Sequence, residues 1–283
     1  MPKSLNFVPP KCQYIDELRC ASVSDPELQA LVALHDEVTT SRMFYLIEHI
    51  SNTHFKKSPA FLAEGKKNAI LKVVEGLHAN FRAVEPYTRV TDFKHYSDVA
   101  GLVETLKPDA DINLIIAAWF HDIERWFELV GALRRNKHDG SIRKKLVHPW
   151  GSVLIAKYVL DAVASFSFDH EKIDQDKVLW LIQYHDAGLK GLPPYLPSAQ
   201  ASSFLLAGPD RAREWVNDLV VLSEADGLAF FKNTLSLYIN YRKEAKEEDY
   251  KIIDRVRLNY NKITPMNRTL ALSYAEENLL KKN

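Results

Sequence analysis

The chain has 283 residues, 46% hydrophobic and 26% charged, ordinary values for a soluble globular protein and enough length for one large helical core or one core with appendages. Its 37 lysines and arginines balance 37 aspartates and glutamates, so no overall basic field argues for nucleic acid or for an anionic membrane surface. The only cysteines, Cys12 and Cys20, lie near the N-terminus without Cys-x-x-Cys spacing, so neither a disulfide framework nor a thiolate zinc site is implied.

The opening stretch, MPKSLNFVPPKCQYIDELRC, lacks the apolar core of a signal peptide. No later apolar run reaches the length of a membrane span, so a cytoplasmic protein is expected. Asp25-Pro26 is a cap with proline at the first helical position, and Leu28, Leu31, Val32 and Val38 mark one helix face behind it. Ile70, Val73, Val74 and Leu77 make a second helix. Val99, Leu102, Val103 and Leu106 make a third, closed by Lys107-Pro108. The fourth, IIAAWFHDIERWF (115–127), is apolar on every side and therefore central.

A charged segment, LRRNKHDGSIRKK (133–145), reads as an exposed loop or lid, whose basic residues are either simply solvated or a funnel for an anionic substrate. His148-Pro149 opens a helix through about Val163, Val178 to His185 is another, and Arg211 to Phe231 forms a long one. The run RKEAKEEDYK (242–251) reads as a solvated helix face, and Thr264-Pro265 caps a C-terminal helix. Strand-like alternation and fixed-period repeats do not occur, so the fold class is all-α.

The polar exceptions on the apolar faces carry the chemistry. His95 lies four residues before Val99 and shares its stripe. His121 and Asp122 sit within the all-apolar fourth helix. His185 is in step with Val178, Leu181 and Ile182, and Asp226 follows Trp215, Leu219 and Leu222 at helical spacing. His148 falls at a helix cap, where a side chain reaches a neighbouring cleft. Any one of these alone is more often a hydrogen-bonded core histidine or a salt-bridged aspartate. As a set, four histidines and two aspartates face inward with no matching inward lysine or arginine, and a shared divalent cation would neutralise the acids and take the imidazole lone pairs. Imidazole and carboxylate without thiolate suit Mn, Fe, Co, Ni or Zn, with Mg as a further candidate.

In the order His95, His121-Asp122, His148, His185, Asp226, the sequence resembles the HD superfamily of metal-dependent phosphohydrolases. HYSDVAGLVETL looks like the family's opening histidine helix, HDIERWFELV like its His-Asp helix, VHPWGSVLIAKYVL and LIQYHDA like the two intervening histidine segments, and VLSEADGLAFF like its closing Ala-Asp helix. The likeness covers roughly residues 90–232. It implies an HD-type helical bundle there, with additional helices from an N-terminal extension (1–89) and a C-terminal extension (233–283) in which no motif is legible.

The resemblance implies further that His95, His121, Asp122 and Asp226 hold one metal, and that His148 and His185 either hold a second ion bridged by Asp122 or contact the substrate. Glu124 stands where the family has glycine. The Gly-Tyr-Pro signature of cyclic-dinucleotide phosphodiesterases is absent, and Arg125 occupies the position where ppGpp hydrolases carry an acid. The expected activity is hydrolysis of a nucleotide or other small phosphorylated metabolite by a metal-activated water, with Asp122 orienting that water and Arg125 binding phosphate. Two rivals share the scaffold: a di-iron oxygenase acting on a polyol or phosphonate, and a non-catalytic nucleotide-binding module. The terminal segments could close a homodimer.

Overall fold

The computed structural model describes residues 86–123, most of 152–160, 173–186, 209–244, 246 and 248–280. The expected helices before residue 86, together with Glu124, Arg125, the basic loop 133–145 and His148, lie outside the described residues. Among the described residues the regular structure is entirely helical, as the all-α reading requires.

Seven α-helices follow in order: α1 Pro86–Leu106, α2 Ile112–Phe120, α3 Gln175–Tyr184, α4 Pro209–Ala229, α5 Leu235–Glu244, α6 Asp249–Tyr260 and α7 Arg268–Leu280. Helical turns also occur within 152–160, where Val153, Ile155, Ala156, Val159 and Leu160 are buried, in agreement with a helix after His148-Pro149. Helix α1 packs on α4 and α2, α2 on α3, and α4 touches α2, α3 and α6. The core where they meet is built from Val99, Leu102, Leu114, Phe120, Trp180, Leu181, Leu219 and Leu222, among others.

Local sequence explains the helix starts. Asp111 and Asp174 are N-caps whose carboxylates accept from Leu114 N and Lys177 N, satisfying donors that the first turn would otherwise leave open. Asn113 ties the two starts together, its Oδ1 accepting from Asp174 N at 2.9 Å. Lys177 bridges Asp111 and Asp218, and Lys107 reaches the other oxygen of Asp218, so α2, α3 and α4 are joined at this end of the bundle.

Three expectations about element boundaries change. The fourth helix ends at Phe120, so that His121 and Asp122 lie at its C-terminal end rather than in its interior. The long helix α4 passes at Phe230–Thr234 into a π-helical turn and continues as α5. The charge run at 242–251 is not one helix face: α5 stops at Glu244, Lys246 takes a positive φ of 52°, and α6 starts at Asp249. Thr264-Pro265 opens a short 3-10 turn, Pro265–Asn267, ahead of α7. Its backbone N–H and hydroxyl both donate to Glu224 Oε1 on α4, which fastens the C-terminal segment to the long helix.

Candidate metal centre

His121 and His185 are C-caps of α2 and α3, and both keep right-handed helical backbone angles. In each, Nδ1 donates to the carbonyl three residues earlier, His121 to Ala118 O and His185 to Ile182 O, both at 2.7 Å. A proton held on Nδ1 leaves the Nε2 of a neutral ring as a lone-pair donor, and the backbone bond fixes the direction in which it points. The two rings meet edge to face with centroids 5.0 Å apart.

His95 arrives from α1, its ring centroid 5.3 Å from that of His121. Next to it, fully buried Tyr96 donates its hydroxyl to Asp122 O at 3.0 Å and so holds the backbone of the His-Asp turn. Asp226 enters from α4. His95 Nε2 is 3.2 Å from Asp226 Oδ1 and 4.0 Å from Asp122 Oδ2, whereas His121 Nε2 is 3.7 Å from each of the same oxygens. His185 Nε2 lies 3.4 Å from Asp122 Oδ1. The structure therefore brings together His95, His121, Asp122, His185 and Asp226, all buried. His148 and Arg125 are outside the described residues.

The residues fit a metal ion on their own geometry. One ligand atom from each of His95, His121, Asp122 and Asp226 lies within 4.8 Å of the other three. Ligands about 2.1 Å from an ion stand roughly 3.0 Å apart at right angles and ~3.4 Å apart at tetrahedral angles, so modest inward movement would complete such a shell. His121 Nε2 is buried without a hydrogen bond, a cost that a cation would remove.

Two participants were not expected from the sequence. Asp186 follows His185 as Asp122 follows His121, and a group of ligand-capable atoms is formed by His185, Asp186 and Asp226. The repeated His-Asp pair in LIQYHDA was the signal for it. The other is Lys262, a buried lysine from the turn after α6, whose Nζ lies 2.5 Å from both Asp186 Oδ1 and Asp226 Oδ2. This corrects the expectation that no inward lysine matches the acids. Nothing in NKITP marks that lysine as inward, because its placement depends on the C-terminal segment docking on α4.

Burial opposes ionisation of Asp226. The Lys262 ammonium, helped by the rings of His121 and His95, outweighs it and holds the carboxyl well below the usual carboxylate range. Burial likewise works against the charge on Lys262, and Asp186 and Asp226 reverse that, raising its pKa. The carboxylates of Asp122 and Asp226 face the imidazoles of His95 and His121, and Lys262 contacts Asp226 through its other oxygen, so acidic ligand atoms are presented to a divalent cation.

Comparison of the chain with protein-family models, with curated proteins and with solved structures returns no match. The metal centre thus rests on its own geometry: a buried cluster of imidazoles and carboxylates, contributed by α1, α4 and the ends of α2 and α3, that could hold a metal ion.

Proposed function

We propose that the protein is a metal-dependent phosphohydrolase of the HD type, acting on a nucleotide or another small phosphorylated metabolite. The observation that carries this reading is the pair of imidazoles, His121 and His185, locked by backbone carbonyls so that Nε2 of each faces the Asp122 carboxylate. The Asp122 and Asp226 carboxylates at the same place suit a divalent ion. A bound ion would supply a water of lowered pKa and would draw charge from the phosphoryl oxygens.

The chain's own residues do the rest. His95, His121, Asp122 and Asp226 would hold the ion, and His185, 3.4 Å from Asp122 Oδ1, orients that carboxylate or contacts substrate. Asp122 would orient the attacking water. Arg125 and His148 are assigned to phosphate binding and to the second histidine position by sequence alone. The Asp122 and Asp226 carboxylates would repel a phosphate ester until the ion is bound, which makes the metal a precondition for substrate binding as well as for turnover.

The test is a panel of phosphomonoesters, phosphodiesters and nucleotides assayed with Mn, Co, Ni and Mg on protein stripped of metal. Phosphate release that depends on added ion and disappears in Asp122→Ala is expected. Iron-loaded protein that consumes oxygen with a polyol or phosphonate, and releases no phosphate from any ester, would replace this reading by the oxygenase.

A further inference from the structure

The group formed by His185, Asp186 and Asp226 has the donor set of a second metal site, yet a side chain of the protein already stands in it. Lys262 Nζ is in contact with one oxygen of each aspartate, at 2.5 Å from both. It is buried, and its surroundings hold it there. Asn261 N donates to Arg257 O, Lys262 N to Asn259 O and Ile263 N to Tyr260 O, so the turn after α6 is closed on itself. Ile263 is fully buried, and Thr264 is tied to Glu224 on α4.

Gly227, next to Asp226, makes the approach possible. A Cβ there would lie 2.8 Å from Asn259 O and 3.2 Å from Lys262 Cβ, so the turn sits in a notch that only glycine leaves open. The ammonium is therefore placed by the packing of a whole segment rather than by a mobile side chain reaching inward. The two oxygens of Asp226 are also divided in their use: Oδ1 faces His95 and His121, and Oδ2 belongs to the lysine.

We propose that the Lys262 ammonium takes the place of a second metal ion in the group formed by His185, Asp186 and Asp226, so that the described residues offer one divalent site, held by His95, His121, Asp122 and Asp226. The inference rests on the metal-centre reading above and narrows it. A tethered ammonium in contact with both carboxylates offsets one of their two charges and stands between them, and bringing in a divalent ion would place two cations side by side in a buried site.

The experiment counts ions on the full-length chain. Protein stripped with chelator is saturated with Mn, desalted, and measured by elemental analysis and native mass spectrometry, beside Lys262→Met and Lys262→Arg. One ion per chain is expected for the wild type and Lys262→Arg, and two for Lys262→Met. Two ions in the wild type, or one in a folded Lys262→Met, overturns the lysine's role while leaving the metal centre intact. A wild type that retains none overturns the metal centre itself. Should Lys262→Met not fold, the electron paramagnetic resonance spectrum of the Mn-loaded wild type decides: an isolated-ion signal is expected, and the signal of a coupled pair refutes the proposal.

Discussion

Asp226 and Lys262 form a buried pair in which Nζ stands 2.5 Å from Oδ2, while Oδ1 of the same carboxylate faces His95 at 3.2 Å. One acid is thus shared between a fixed internal cation and the imidazoles of the metal centre. Removing its charge should cost more than a surface change would, because Lys262 is left in a buried place with Asp186 alone, and Asp186 is one-third exposed. Breaking one side of a buried pair typically costs about 3–5 kcal/mol. Asp226→Ala is therefore expected to lower the stability of the metal-free protein by an amount approaching that range, read by urea denaturation. A change below about 0.5 kcal/mol, the size seen at ordinary surface positions, would mean that the pair does not form.

Metal binding should raise stability with the logarithm of affinity. An ion at a hundred times its dissociation constant adds about 2.7 kcal/mol, provided it does not bind the unfolded chain. Thermal melts with and without chelator should show that rise for the wild type. Asp122→Ala and His121→Ala should show none, whereas Tyr96→Phe, which removes the hydroxyl's bond to the Asp122 carbonyl, should weaken binding by roughly 10- to 100-fold, as loss of an orienting contact does. An equal melting shift in Asp122→Ala and wild type would place the ion elsewhere.

Helical period alone located much of this centre. Asp226 was found as the continuation of Trp215, Leu219 and Leu222, and His95 as a member of the Val99 stripe, because burial on one face of a helix leaves a repeat that can be read in one dimension. The same method misplaced what depends on where helices end: His121 is a C-cap, not an interior residue, and the π-helical turn after Ala229 leaves no periodic trace, whereas His185 ends its helix as the pattern required. Lys262 was invisible for a different reason. It lies on a turn, and its burial is created by contacts with Gly227 and Glu224 on α4, through tertiary packing that no local pattern records.

The lysine-carboxylate network at the opposite end of α2 and α3 should shape the pH dependence of stability. For Asp111, burial opposes the charge, but the bonds from Lys177, Leu114 N and Asn113 outweigh it and depress the pKa below 3.8. Its contribution is present above the unfolded value and is lost as pH falls through the folded one, so it weakens at and below about pH 3.8. For Lys177, burial also opposes the charge, and Asp111 with Asp218 raises the pKa above 10.5, so its contribution is present below that value and disappears as pH climbs through the folded one. The Asp111 side chain is 45% exposed, which keeps its effect small. Asp111→Asn, which preserves the cap, should flatten the acid limb of the stability profile, and Lys177→Met the alkaline limb. Parallel profiles in wild type and variants would remove the network from the account.

Gly227→Ala sets two effects of opposite sign against each other. Alanine is favoured over glycine within a helix by about 1 kcal/mol, which would stabilise α4. Against this, the new methyl group would lie 2.8 Å from the Asn259 carbonyl oxygen, a backbone atom anchored by its own turn, and 3.2 Å from Ile263 Cγ1. Forcing a methyl group into a closed contact costs about 1–3 kcal/mol, and here the neighbour cannot rotate away as a flexible side chain would. The clash should win. Gly227→Ala is expected to melt at lower temperature than the wild type and to push the turn, and Lys262 with it, away from Asp226. The second consequence is separable from the first: a Gly227→Ala protein still folded at 25 °C should admit a second Mn ion as Lys262→Met does. A variant that is more stable than the wild type would show that helix propensity outweighs the contact and that the notch at Gly227 does not hold the lysine in place.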